Sequence, residues 1–147
     1  MSEALIDVAK SGDEDAETQI RLLIEAGADV NKQDEDGKTA LMYAARYGGE
    51  HAAGMIRLLI DAGADDDKQD EEGETALMKA ALHDSGHAVN MMNVLIDAGA
   101  DANKQDANKQ TALMLAARFG GEHAKAMLRL LLHAGVDANK QDMFGWT

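Results

Sequence analysis

Residues 39–65 read TALMYAARYGGEHAAGMIRLLIDAGAD, and the chain repeats that phrase. TALMKAALHDSGHAVNMMNVLIDAGAD begins at Thr75 and TALMLAARFGGEHAKAMLRLLLHAGVD at Thr111, two steps of 36 residues (75 − 39 and 111 − 75) with no gap. Running backwards, Glu3 takes the threonine position and ALIDVAKSGDEDAETQIRLLIEAGAD follows in register. Self-similarity at such a period marks a stacked array rather than one closed core. Four units fit, at about 3–38, 39–74, 75–110 and 111–146, in a single domain over 1–147, with Thr147 standing where a fifth would open.

Each unit reads as two helices and an irregular arm. Thr39 is a plausible N-cap, Leu41, Ala44 and Ala45 follow at helical spacing, and Gly48-Gly49 closes the first helix. The stripe of Met55, Ile56, Leu58, Leu59 and Ile60 is too wide for a helix with one neighbour and suits one packed on both sides. Gly63 supplies a left-handed stop, as Gly27, Gly99 and Gly135 do elsewhere. The polar segment ADVNKQDEDGK and its equivalents fit an extended, β-hairpin-like arm with a tight turn at 34–37. No unit buries its own stripes, so stacking makes the core.

The phrase DGKTALMYAARYGG, followed by MIRLLIDAGADDDKQD, resembles the ankyrin repeat over almost the whole chain. The resemblance implies an all-α solenoid of helix-turn-helix units and a role in binding other proteins. The chain departs from the family pattern in three ways. Alanine replaces the motif's proline at Ala40, Ala76 and Ala112, and methionine its histidine at Met42, Met78 and Met114, which shifts the stack toward methionine packing. Each unit holds three residues more than the usual count of about 33, which lengthens either the second helix or the loop before it. Lys109 stands where Gly37, Gly73 and Gly145 stand, a poor choice for a turn that needs positive φ.

The resemblance also implies that first helices and arm tips line a concave, partner-binding side. That points to Tyr43, Arg46 and Tyr47, to Lys79, Leu82 and His83, and to Leu115, Arg118 and Phe119 on helices. At the tips it points to Glu71, Glu72 and Glu74 and to Met143, Phe144 and Trp146. All five aromatic residues of the chain, two Tyr, two Phe and one Trp, fall on these positions. Aromatic anchors remove large apolar areas from water with few rotors to freeze, although Tyr43 and Tyr47 packed along a helix surface would look the same in sequence.

With 14 Lys+Arg against 27 Asp+Glu the formal charge is −13, which repels phosphate backbones and anionic membrane surfaces and favours a basic protein or peptide as partner. Acidic against basic residues per unit run 11 to 4, 9 to 3, 4 to 3 and 3 to 4, net −7, −6, −1 and +1, so the excess sits in the first half. There it is either a solvated arm or a field that steers a basic ligand, as in an inhibitor or immunity-type factor. The chain has no cysteine, no basic leader and no apolar run of spanning length, and reads as soluble and cytoplasmic.

The search for chemistry points away from an enzyme and from any cofactor or metal. Adjacent Glu50-His51 and Glu122-His123 point about 100° apart on a helix and do not converge on an ion. DDDKQD and DANKQD lack the glycine and glutamate of a calcium loop, and there is no phosphate loop or nucleophile elbow. The alternative to a binding module is a structural scaffold, or an engineered or truncated repeat fragment. The first unit has a polar outer helix with Asp13, Glu14, Asp15, Glu17 and Gln19, whereas AKAMLRLLLHAG in the last has an internal unit's stripe. That end belongs to a longer array, is covered by Phe144 and Trp146 folding back, or is a surface for self-association.

Overall fold

The structure is a computed structural model that describes every residue except His83 and Asp84. Helices pair along the chain: α1 (Ser2–Ser11) with α2 (Ala16–Glu25), α3 (Ala40–Tyr47) with α4 (Ala52–Asp61), α5 (Ala76–Ala81) with α6 (Gly86–Asp97), and α7 (Ala112–Phe119) with α8 (Ala124–His133). First helices pack in one row, α1 on α3 on α5 on α7, and second helices in another, α2 on α4 on α6 on α8. The result is a solenoid of stacked helix-turn-helix units.

The caps form as the threonines predict. Thr39, Thr75 and Thr111 are extended and buried, and their hydroxyls accept the N–H of Met42, Met78 and Met114 at 3.4, 3.3 and 3.4 Å. Six consecutive residues of α3, Ala40 to Ala45, are buried, because small alanines let helices approach on two sides while Leu41 and Met42 fill the space between. On α4, Met55, Ile56 and Leu59 are fully buried between α2 and α6. Met42, Met78, Met91, Met92 and Met127 join them, so unbranched, adaptable side chains fill much of the contact between units.

The second and fourth units carry a short turn between their helices, whereas α6 of the third unit is longer, at 12 residues. Gly49–His51 and Gly121–His123 form 3-10 turns that run straight into α4 and α8, each ten residues long. Gly48 makes room for this corner: a Cβ there would lie 2.6 Å from Ala44 O and 2.6 Å from Met55 Cε.

The expectation of β-hairpin-like arms is corrected by the structure, since among the described residues there is no β-strand. Each arm is a turn in which Gly37 N–H donates to Asp34 O (3.0 Å) and Asp34 N–H to Lys38 O (2.9 Å), with Asp34 Oδ1 accepting the N–H groups of Asp36 and Lys38. Neighbouring tips share one main-chain bond, from Glu71 N–H to Asp36 O, Ala107 N–H to Glu72 O and Met143 N–H to Asn108 O. Side chains complete the stitching: Gln33, Gln69 and Gln105 each donate to the carbonyl of the glutamine 36 positions on. Backbone groups bound by side chains are not free to extend a ladder.

The fold-back of the tail is also not what the structure shows. Phe144 and Trp146 are 76% and 72% exposed on the last tip, and Leu132 of α8 is 53% exposed. Among the described residues no helix is long and apolar enough to cross a membrane.

Candidate functional site

Clefts open where first helices meet arm tips. One lies between α3 and α5, walled by Tyr43, Arg46 and Tyr47 on one side and by Glu72, Glu74, Lys79 and Leu82 on the other, with a volume of about 300 Å³. That is the bottom of the range for small-molecule pockets, roughly 300–1,000 Å³, and suits one inserted side chain. A second, by α7, is bounded by Arg118, Asp142, Phe144 and Trp146.

The predicted residues divide by burial. Tyr47, Phe119, Met143, Phe144 and Trp146 are large and exposed, Glu71, Glu72 and Arg118 are exposed, and Arg46, Glu74 and Leu82 are partly so. Tyr43, Lys79 and Leu115 are buried. His83 lies outside the described residues. Arg46 places its guanidinium 5.5 Å from the centre of the Tyr47 ring, and Arg118 lies 5.1 Å from that of Phe119. Each of these two helices thus offers a flat ring backed by a cation.

Tyr43 is held from three sides. Its hydroxyl donates to Asp34 Oδ2 at 2.5 Å, the Lys10 ammonium sits 4.5 Å over its ring, and Tyr47 stacks on it at 6.2 Å between centroids. Burial first, and then the hydrogen bond to Asp34 and its charge, push the Tyr43 phenol well above its ordinary range. Burial works to raise Asp34, but the Tyr43 hydroxyl, the N–H groups of Lys38 and Asp36 and the Lys10 charge outweigh it and hold the carboxyl below its usual value.

Lys79 takes the Tyr43 position one unit later and solves the same problem with charge. Its ammonium lies 2.7 Å from Asp70 Oδ2, 3.7 Å from Glu72, and in a short hydrogen bond with Glu74. Asp70 Oδ2 has no well-aligned hydrogen bond, so the ammonium's charge satisfies it. Burial alone would lower the Lys79 pKa; the close contacts with the Asp70 and Glu74 carboxylates and their negative charges reverse the sign and hold it above the ordinary value.

Two acidic groups are close enough to share a cation, Asp65 with Asp66 and Asp67, and Asp70 with Glu72 and Glu74. The second already surrounds the Lys79 ammonium. In the first, Asp65 Oδ1 and Asp67 Oδ1 each accept a backbone N–H, and burial, followed by the charges of Asp67 and Asp65, raises Asp66. Neither arrangement presents a vacant, built ion site.

Sequence reasoning passed over Asp34, Asp70 and Lys10, which hold the floor of the groove. The signal for the two aspartates is an aspartate at the same register in every unit, 34, 70, 106 and 142, which also suits a turn; nothing in the sequence singles out Lys10.

Stacked helix pairs, capping threonines and a groove of first helices and tips now stand together, and residues 2–70 and 51–142 both match the family described as ankyrin repeats (3 copies). The chain belongs to the ankyrin-repeat family. Ankyrin repeats are non-catalytic scaffolds that generally mediate protein–protein interaction through their concave face. No curated protein matches the chain.

Proposed function

We propose that the groove binds a basic segment of another protein, with Tyr47 and Phe119 as anchors, Arg46 and Arg118 as polar contacts, and the acidic first half drawing the partner in. The observation that carries the reading is that Tyr47 and Phe119, 55% and 45% exposed, end equivalent helices on the groove side, each beside an arginine. Aromatic side chains of this kind serve as interface anchors because they remove a large apolar area from water with few rotors to freeze. Tyr43, Lys79 and Leu115 act by shaping the wall. A chain of this kind suits an inhibitor or immunity-type factor that masks a basic protein.

The test is selection of peptides from a random displayed library on the immobilised chain. The peptides should be rich in lysine and arginine, bind more weakly as salt rises, and lose at least about tenfold in affinity against a Tyr47→Ala, Phe119→Ala double variant. Peptides indifferent to both salt and the double variant overturn the reading.

A second reading, self-association, is favoured by one observation: the open end of the stack exposes Leu132 beside Leu113 and Leu128. Its partner would be the acidic first unit of a second copy, stacked head to tail. Sedimentation that is independent of concentration, and unchanged by Leu132→Ser, counts against it.

A further inference from the structure

At one register along the groove the side chain changes size. Positions 46, 82 and 118 are equivalent, 36 residues apart, and hold Arg46, Leu82 and Arg118. The helix that leads to Leu82 is also short, since α5 has six residues where α3 and α7 have eight. Leu82 lines the cleft of about 300 Å³ between α3 and α5, and a leucine, shorter than arginine and uncharged, leaves that wall open and apolar.

The interior of this cleft is apolar, and the charges around it are already engaged. Met42 and Tyr43 are its most deeply buried apolar lining residues, and the Tyr43 and Tyr47 rings stack at 6.2 Å with 21° between their planes. Lys79 is held by Asp70 and Glu74, Lys38 lies 3.8 Å from Asp36, and the Arg46 guanidinium stands 5.5 Å from the centre of the Tyr47 ring. A charged guest would have to disturb these pairings to be stabilised inside. An aromatic guest meets two rings and a thioether, contacts that favour it over an aliphatic one.

The rim on the tip side is different. Three carboxylates, Asp70, Glu72 and Glu74, surround one ammonium, which leaves two negative charges in excess (three minus one). Asp70 is buried and Glu74 mostly so, whereas the Glu72 side chain is 68% exposed and stands 3.7 Å from the Lys79 ammonium. The surplus charge is therefore presented to solvent at Glu72, on the edge of the cleft.

We propose that the cleft is a subsite for one aromatic side chain of the partner protein, with an adjoining lysine or arginine meeting Glu72 at the rim. This rests on the reading of the groove as the binding face and names a pair of side chains in what binds there: a ring for the interior and a cation for the edge.

The experiment is a methyl-resolved NMR titration of the full chain with four dipeptide amides, acetyl-Phe-Lys, acetyl-Leu-Lys, acetyl-Gln-Lys and acetyl-Phe-Gln. The Met42 and Leu82 methyls should show saturable ring-current shifts with acetyl-Phe-Lys and stay still with acetyl-Gln-Lys. Acetyl-Leu-Lys should bind more weakly, and acetyl-Phe-Gln about two- to fivefold more weakly, a difference that Glu72→Gln should erase. Leu82→Arg, which restores the side chain found at 46 and 118, and Tyr47→Ala should each weaken acetyl-Phe-Lys by about tenfold or more, so the test survives if one of them folds poorly. Equal shifts with acetyl-Gln-Lys, no shift at Met42 and Leu82, equal affinity for the leucine and phenylalanine probes, or undiminished binding to both variants overturns the proposal. Library peptides that respond to the Tyr47→Ala, Phe119→Ala double variant but not to Leu82→Arg sink this subsite alone, whereas peptides indifferent to salt and to the double variant sink the face.

Discussion

Asp70 and Lys79, nine residues apart, bring a carboxylate and an ammonium to 2.7 Å inside the stack, with both side chains almost free of solvent. The pair joins an arm tip to the helix that follows it. Asp34 and Tyr43 make the same join with a neutral donor. The wall of the groove is therefore lined at one register by Tyr43, Lys79 and Leu115, each with a different chemistry.

Breaking the charged version should be expensive. Lys79→Met leaves Asp70 buried without a counter-charge, at a cost of about 3–5 kcal/mol. Adding Asp70→Asn removes the orphaned charge, and the double variant should recover a large part of the loss. Urea unfolding of the three variants and the wild type measures this as a double-mutant cycle; simple additivity would mean the two residues do not act as a pair.

The neutral version carries a pH signature. The Asp34 carboxyl is depressed in the folded state, so its contribution is present above the unfolded value near 3.9 and is lost as pH falls through the folded one. The Tyr43 phenol is raised, so its contribution is complete below the unfolded value of about 10 and fades as pH climbs toward the folded one. The stability difference between wild type and Tyr43→Phe, about 1–2 kcal/mol, should thus be a plateau between roughly pH 4 and pH 10 that narrows on both sides. A difference that stays flat through acid and alkaline denaturation excludes the bond as its source.

Much of this stack was legible before any coordinates. The period of 36, the threonines at 39, 75 and 111, and the alanine-rich first helices dictate paired helices in two rows, because no unit can cover its own apolar stripe. The arms were misread for a physical reason: turn residues such as those at 34–37 look like a hairpin, but Asp34 Oδ1 and the glutamine side chains bind the backbone groups that a strand would need. At the groove, the exposure of Tyr47 and Phe119 agrees with their register. The burial of Tyr43 and Lys79 could not be read, since it depends on an aspartate in the preceding unit whose second oxygen has to be located in space.

The tip turn holds one local misfit. Gly37, Gly73 and Gly145 sit at φ 76, 75 and 82, and Lys109, in the equivalent place, is forced to φ 60. A side chain in the left-handed region costs on the order of 1 kcal/mol. Lys109→Gly should raise stability by about that amount despite the added chain entropy, while Lys109→Ala, which keeps a Cβ, should change it little. Equal stabilisation by both would trace the effect to charge instead of backbone.

Gly48 tests the corner between α3 and α4. Its φ of −69 is open to any residue, so only space restricts it, and a Cβ would meet Ala44 O, Met55 Cε and Ala52 Cβ at 2.6 to 2.7 Å. Met55 can swing away, but Ala44 O belongs to the helix it terminates and receives the Gly48 N–H at 3.0 Å. Gly48→Ala should therefore cost about 1–3 kcal/mol through overpacking. Gly49, one residue on, adopts φ 55 with nothing within 4 Å of a Cβ, so Gly49→Ala should lose only the smaller left-handed penalty. Shortening Met55 in a Gly48→Ala, Met55→Ala background should not rescue the variant, because the unyielding contact is with the backbone. Thermal melts that show full rescue would place the strain on the methionine.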